Sequence, residues 1–282
     1  MSFSSEAKNE LCRVALHHQC CARAEAYGVL LYCNVFSPHE IRIMTEHAGF
    51  AARLPKLFHK AFGIGFDRLP EEEWKNKAVF QITDADKLTH IMDVLGYDRS
   101  QSLAVHINLA MVEEECCRAA FLRGVFLASG SVTDPQKEYH LEYVLGDEAF
   151  ATALQRLIAR FDLDAHMTMR RQMTLVYLKG QSEITDMLSI LGAQSARFAM
   201  EDAFIRKELR NHANRATNCD SANMERAVIA ASRQTQAIER LIAAKGESSL
   251  PPALLQTAKL RLRYPEVSLE ELGSLCDPPV GK

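Results

Sequence analysis

The chain has 282 residues, 24% of them charged and 48% hydrophobic, with a formal net charge of −3. Those are the proportions of a soluble globular protein long enough for two domains, and no apolar run reaches membrane-spanning length. The surface as a whole is not basic: residues 201–282 carry 12 Lys and Arg against 11 Asp and Glu, so a polyanionic partner has to be met by local patches.

The N-terminus, MSFSSEAKNEL, is polar and has no secretory leader. With eight cysteines in the chain, this predicts a reducing, cytoplasmic location with free thiols. A first helix is expected over residues 3–16. Then the sequence repeats itself at a constant offset of 96: Cys20, Cys21, Ala24, Gly28, Val29 and Leu31 match Cys116, Cys117, Ala120, Gly124, Val125 and Leu127. Thr89, Leu95 and Gly96 match Thr185, Leu191 and Gly192. Such a period is too long for a solenoid and points to two half-domains related by a pseudo-twofold axis.

Each copy opens with a helix (residues 20–33 and 114–128), followed by an alternating strand (40–47 and 139–145) and a second helix (about 48–63 and 147–161). Further strands follow, KAVFQI in copy one and HMTMR and MTLVYL in copy two, and then a last helix bracketed by Asp84 and Gly96 or by Gly180 and Gly192. The unit reads α-β-α-β-β-α, an α+β half-domain. A glycine inside a helix costs about 1 kcal/mol relative to Ala, so Gly28 and Gly124 need a compensating role. Close approach of the two duplicated helices across a shared seam is the favoured one; packing of each glycine on its own sheet is the alternative. The Cys20–Cys21 and Cys116–Cys117 pairs, with His17 and His18 nearby, raise a metal reading. Neighbours on a helix point about 100° apart and no CxxC spacing accompanies them, so the pairs read as buried core thiols and no metal is assigned.

From Ala199 strand signals stop. Long helices are expected, broken between Asn211 and Ser221. Ser249 and Pro251 suit another helix start, and Ser268 with Glu271 makes a capping box ahead of the Leu269, Leu272, Leu275 stripe. Trp74 reads as a cap on a core edge.

LRGVFLASGSV (residues 122–132) resembles the LAGLIDADG motif of homing endonucleases, with Leu122, Gly124, Ala128 and Gly130 on matching positions. AYGVLLYCNVF (residues 26–36) is a weaker copy that keeps Gly28. In that family the motif helices form the domain interface, and a carboxylate near the end of each binds the divalent metals that cleave DNA. Cys33 and Ser129 stand at those positions here, and hard cations want carboxylate oxygen. Asp134 lies a few residues on, with nothing in copy one to mirror it. The resemblance implies a nuclease scaffold without nuclease chemistry: no catalytic residue, no cofactor, no metal.

SFSSEAKNEL, the two Cys-Cys pairs, RNHANRATNCDSAN (residues 210–223) and YPEVSLEELGSLCDPPVGK (residues 264–282) resemble segments of the WhiA family, and the similarity covers essentially the whole chain. That family joins a degenerate LAGLIDADG-type domain to a C-terminal helix-turn-helix. The implied fold class is therefore α+β, a tandem pseudo-twofold duplicated domain followed by an all-α, C-terminally incomplete helix-turn-helix domain. The implied boundaries are 1–200 for the duplicated domain (repeats about 17–96 and 113–192), 201–222 for a polar basic linker and 223–282 for the helical domain. The implied function is that of a non-catalytic DNA-binding transcriptional regulator of sporulation or of cell division and chromosome segregation. It implies double-stranded DNA as partner, another regulatory protein as a further one, no membrane, and a cytoplasmic, nucleoid-associated location.

A helix-turn-helix reads bases with its second helix. Here SLEELGSL supplies the first helix and CDPP the turn, and the recognition helix is expected to be missing. The DNA-contacting positions expected from this segment are Ser268, Leu269, Glu270, Glu271, Leu272, Gly273, Ser274, Pro279 and Lys282. Arg206, Lys207, Arg210 and Arg215, with Asn211, Asn214 and Asn218, form a cationic polar stretch suited to phosphate contact; a solvated helix face explains the same residues. Lys259, Arg261 and Arg263 are spaced so that at most part of the set shares a face. No HExxH, phosphate loop or nucleophile elbow is present. A divergent metal-dependent endonuclease and a protein-interaction scaffold are the alternative functions.

Overall fold

Ser2 opens the first helix, α1 (Phe3–Leu11), by accepting the Ser5 amide at 3.2 Å. The computed structural model describes residues 2–71, 74, 77–97 and 107–280, and it divides into two compact units, 1–205 and 206–282. Helix α1 stops at Leu11 instead of running to residue 16. The carbonyls of Cys12 and Val14 are taken by the Arg53 guanidinium at 3.0 and 2.7 Å, which holds this stretch in a non-helical path.

Copy one of the repeat consists of α2 (Gln19–Leu31), β1 (Val35–Phe36), β2 (Ile41–Thr45), α3 (Ala48–Phe62), β3 (Ala78–Ile82) and α4 (Ala85–Leu95). Copy two consists of α5 (Glu115–Ser129), β4 (Gly130–Val132), β5 (Leu141–Leu145), α6 (Glu148–Ala159), β6 (His166–Arg170), β7 (Met173–Leu178) and α7 (Gln181–Leu191). The expected pattern needs one correction common to both copies, and copy one departs a second time, with only β3 between α3 and α4 among the described residues. A short strand, β1 or β4, directly follows the duplicated helix, and two or three residues are too few to carry an alternation signal.

Both sheets are antiparallel, ordered β1-β2-β3 and β4-β5-β7-β6. Copy two has the additional hairpin strand β6, which turns through Arg171 and Gln172, both at positive φ. In copy one, among the described residues, a bridge from Arg68 to Gln81 borders β3 instead.

The register places Ile41 opposite Ile82, Ile43 opposite Phe80 and Tyr143 opposite Val176, so each sheet turns one apolar face to the helices. Helix α3 supplies the expected stripe: Leu54, Leu57, Phe58, Ala61 and Phe62 are all buried. Phe66 lies 4.5 Å from the Phe58 ring and 5.1 Å from the Phe80 ring, centroid to centroid, and Trp74 packs at the core margin. Asp84 caps α4 by accepting the Asp86 and Lys87 amides, and Gly96 and Gly192 end α4 and α7 in the left-handed conformation, as their positions predicted.

Helix α8 (Gln194–Lys245) runs through residues 211–221 without the expected break. The segment has no Gly or Pro, and each Asn or Thr in a helix costs only a few tenths of a kcal/mol, which the surrounding Ala, Arg and Glu residues offset. Gly246, at φ 80°, ends it. Helix α9 (Pro252–Arg263) starts at tandem prolines; Ser249 does not cap it but donates to the Gly246 carbonyl at 2.7 Å. Helix α10 (Leu269–Ser274) carries the expected capping box, with Glu271 N donating to Ser268 Oγ at 3.1 Å and Ser268 N to Glu271 Oε2 at 2.9 Å. Ala231, Ala258, Arg261, Leu272 and Cys276 are buried in this second unit.

Candidate functional site

The duplicated helices α2 and α5 meet backbone to backbone. A Cβ on Gly28 would overlap the Phe121 carbonyl oxygen and stand 3.0 Å from Val125 N; a Cβ on Gly124 would overlap the Glu25 carbonyl oxygen and stand 3.2 Å from Val29 N. The contact is reciprocal, so the two glycines form the shared seam and do not pack on their own sheets. Tyr27, Val29, Leu30, Phe121, Leu122 and Val125 are fully buried around it.

The seam also holds a charged cluster that the sequence reading did not mark. Glu25 has no solvent exposure and binds two guanidiniums: Arg53 through Nε at 2.5 Å and Nη2 at 2.9 Å, and Arg123 of copy two through Nε at 2.9 Å. Arg123 Nη1 also donates to the Leu191 carbonyl at 2.9 Å. One carboxylate and three backbone carbonyls thus share two buried cations, the arrangement that offsets the several kcal/mol each ion costs to desolvate. The only local signal was a lone Glu in the apolar run AEAYGVLL.

At the motif ends, Cys33 Sγ donates to the Val35 carbonyl at 3.1 Å and Ser129 Oγ to the Val125 carbonyl at 3.1 Å. Burial pushes the Cys33 thiol up to about 12, so it stays protonated and offers no anionic ligand at neutral pH. Asp134 accepts from its own turn, Gln136 N at 2.9 Å. Carboxylates on the solvated side of the sheets are already paired: Glu40 with Arg42 and Gln81, and Glu142 with His140 and Arg170. Next to Glu142, Tyr177 stands between the His140 and His166 rings at 5.4 and 5.5 Å, with the Lys179 ammonium 5.6 Å from the Tyr177 ring centroid.

The cysteine pairs differ from their expected role as buried core thiols. Cys20 and Cys116 are exposed, Cys21 is half-buried and Cys117 is buried. The sulfurs of Cys20, Cys21 and Cys117 all lie within 4.8 Å of one another. Sequence spacing could not show this, because the two pairs come from different repeats.

In the second unit, Arg206, Arg210, Asn211, Arg215 and Asn218 are exposed on α8 and Lys207 is half-buried. Because the helix is unbroken, Lys207, Asn211, Asn214 and Asn218 recur at helical spacing along one stripe, with Arg210 and Arg215 to either side. The α10 positions are largely engaged in folding. Leu272 is buried, Glu271 and Ser268 cap each other, Ser274 Oγ donates to the Glu271 carbonyl, and Gly273 receives the returning chain through Val280 N at 2.9 Å. Leu269, Glu270 and Pro279 remain exposed, and Lys282 lies outside the described residues. Arg261 is buried and donates to the Val267 carbonyl at 2.7 Å, Lys259 pairs with Glu247 at 2.5 Å, and Arg263 sits 5.4 Å from the Tyr264 ring centroid.

Residues 118–210 match a family model for the WhiA LAGLIDADG-like domain, and residues 213–282 match one for the WhiA C-terminal HTH domain. The probable cell division protein WhiA of Desulforudis audaxviator is 38% identical over 290 residues, covering all of this chain and 92% of that protein. The protein of the same name from Alkaliphilus metalliredigens is 35% identical over 295 residues, covering all of this chain and 93% of that one. The crystal structure of full-length DUF199/WhiA from Thermatoga maritima matches with a TM-score of 0.66 at 24% identity, covering 97% of this chain and 91% of that chain. No described helix is long and apolar enough to cross a membrane. The chain therefore belongs to the WhiA family, with a LAGLIDADG-like domain followed by a helix-turn-helix domain.

Proposed function

We propose that this chain is a non-catalytic transcriptional regulator that binds double-stranded DNA and acts in sporulation or in cell division and chromosome segregation, in the cytoplasm at the nucleoid. The observation that carries the reading is the helix-turn-helix match over residues 213–282, in a chain similar from end to end to relatives called probable cell division proteins. The stripe on α8 supplies a physical means of contact. Lys207, Arg210 and Arg215 bring cationic groups that release counterions from phosphates, while Asn211 and Asn218 bring amides that bond phosphate or base. The non-catalytic part rests on Cys33 and Ser129, whose protonated thiol and hydroxyl are poor ligands for the hard cations that nuclease chemistry uses.

The test is anisotropy of labelled duplexes, one of random sequence and one from a promoter of a cell-division gene, titrated with the full chain at several salt concentrations. Binding to both duplexes that weakens as salt rises is expected. No binding to either duplex at low salt would overturn the proposal.

A further inference from the structure

Cys20 and Cys21 occupy the first turn of α2, and Cys116 and Cys117 occupy the first turn of α5. The pseudo-twofold relation brings these two turns together at one end of the seam. The sulfurs of Cys20, Cys21 and Cys117 are mutually within 4.8 Å, and Cys116, the repeat counterpart of Cys20, neighbours Cys21. All four are free thiols. Among the described residues this is the only group of three or more potential metal ligands so placed.

We propose that Cys20, Cys21, Cys116 and Cys117 bind one Zn²⁺ ion as a tetrahedral tetrathiolate that clamps the two repeats at the end of the seam. Zinc–sulfur bonds of about 2.3 Å set sulfurs roughly 3.8 Å apart, so the three clustered thiols have to close by about 1 Å, and the exposed Cys116 side chain has to turn in to complete the set. Sulfur-only, four-ligand sites select soft or borderline cations over Mg²⁺ and Ca²⁺. The bound form carries two negative charges, which the helix termini partly offset. All four residues sit in the first turn of a helix, where the free amides and the dipole favour negative charge. Neither α2 nor α5 has a side-chain cap on those amides. Cys20 and Cys116 are exposed, which gives the ion an entry path, and the exposed Glu113, Glu114 and Glu115 add a cation-attracting field there. Binding is balanced as one Zn²⁺ taken up and four thiol protons released, with no redox partner involved.

A disulfide is the competing chemistry for the same sulfurs, and the experiment separates the two. The full chain is purified under reducing conditions, then freed of reductant without oxygen and titrated with Co²⁺ as the spectroscopic probe, followed by Zn²⁺. The expected result is an intense visible ligand-field band together with a sulfur-to-cobalt charge-transfer band, both saturating at one ion per chain and both displaced by Zn²⁺. Cys20→Ser with Cys116→Ser changes two exposed positions and leaves the packed thiols alone; it should fold normally and lose the tetrathiolate bands. Cys219→Ser, on the exposed face of α8, should keep them. Absence of these bands in the fully reduced wild type, or their persistence in the double variant, would overturn the site. So would mass spectrometry showing that the four thiols pair as disulfides on exposure to air while the reduced form takes up no metal.

Discussion

Arg123 of the second repeat donates its Nε to Oε2 of Glu25 in the first at 2.9 Å, inside a seam where Glu25 has no solvent exposure. Arg53 binds both oxygens of the same carboxylate, so the two guanidiniums buried in the seam share one glutamate. Glu25→Gln should leave two buried guanidiniums without a counter-ion and cost about 3–5 kcal/mol in chemical denaturation. A loss under about 1 kcal/mol would mean that water reaches the cluster.

The glycine seam gives a steric prediction. Gly28→Ala or Gly124→Ala places a methyl group against a carbonyl oxygen of the facing helix, and neither backbone can yield without parting α2 from α5. Each should cost at least about 1–3 kcal/mol, and Gly28→Leu or Gly124→Leu more. Arg156→Leu, on the exposed side of α6, is the control and should be near neutral. Equal melting temperatures for Gly124→Ala and the control would refute the seam.

Thiol reactivity tests the burial of Cys33. With its pKa raised from about 9 to about 12, the native thiol should resist alkylation at pH 8, whereas the exposed Cys219 should react. The same shift has a stability sign. The raised folded pKa contributes stability that is fully present below about pH 9 and is lost as pH rises toward about 12. Cys33→Ala should flatten that part of the pH–stability curve, and an unchanged curve would assign the alkaline loss to other groups.

Phosphate contact through α8 predicts a particular salt signature. Lys207→Ala, Arg210→Ala or Arg215→Ala should weaken binding to all duplex sequences alike, and each lost contact should lower the slope of log K against log salt by about one. Variants that change promoter preference but leave the slope intact would place those residues on base edges instead.

Cleavage chemistry can be checked directly. Purified chain with supercoiled plasmid and Mg²⁺ or Mn²⁺ should give no EDTA-sensitive nicking. Cys33→Asp with Ser129→Asp should not create strong activity either, because the side chains that would support such carboxylates are also lacking. Robust, EDTA-sensitive cutting by the unmodified chain would sink the non-catalytic reading.

Features that depend on neighbours a few residues apart were legible in the sequence. The Ser268–Glu271 capping box, the Gly96 and Gly192 helix ends and the apolar stripe of α3 follow from local geometry, and the offset of 96 already paired Gly28 with Gly124. Local reasoning misplaced the break at residues 211–221, because polar residues that weaken a helix do not end one without Gly or Pro. Only the tertiary structure decided which distant groups meet: Glu25 with Arg123, Cys20 with Cys117, Arg261 with the Val267 carbonyl. A repeat says that two helices are alike; it does not say that they lie side by side with their first turns together. Close packing at two glycines decides that, and the same packing brings the buried ions together and the thiols of Cys20, Cys21 and Cys117 near one another.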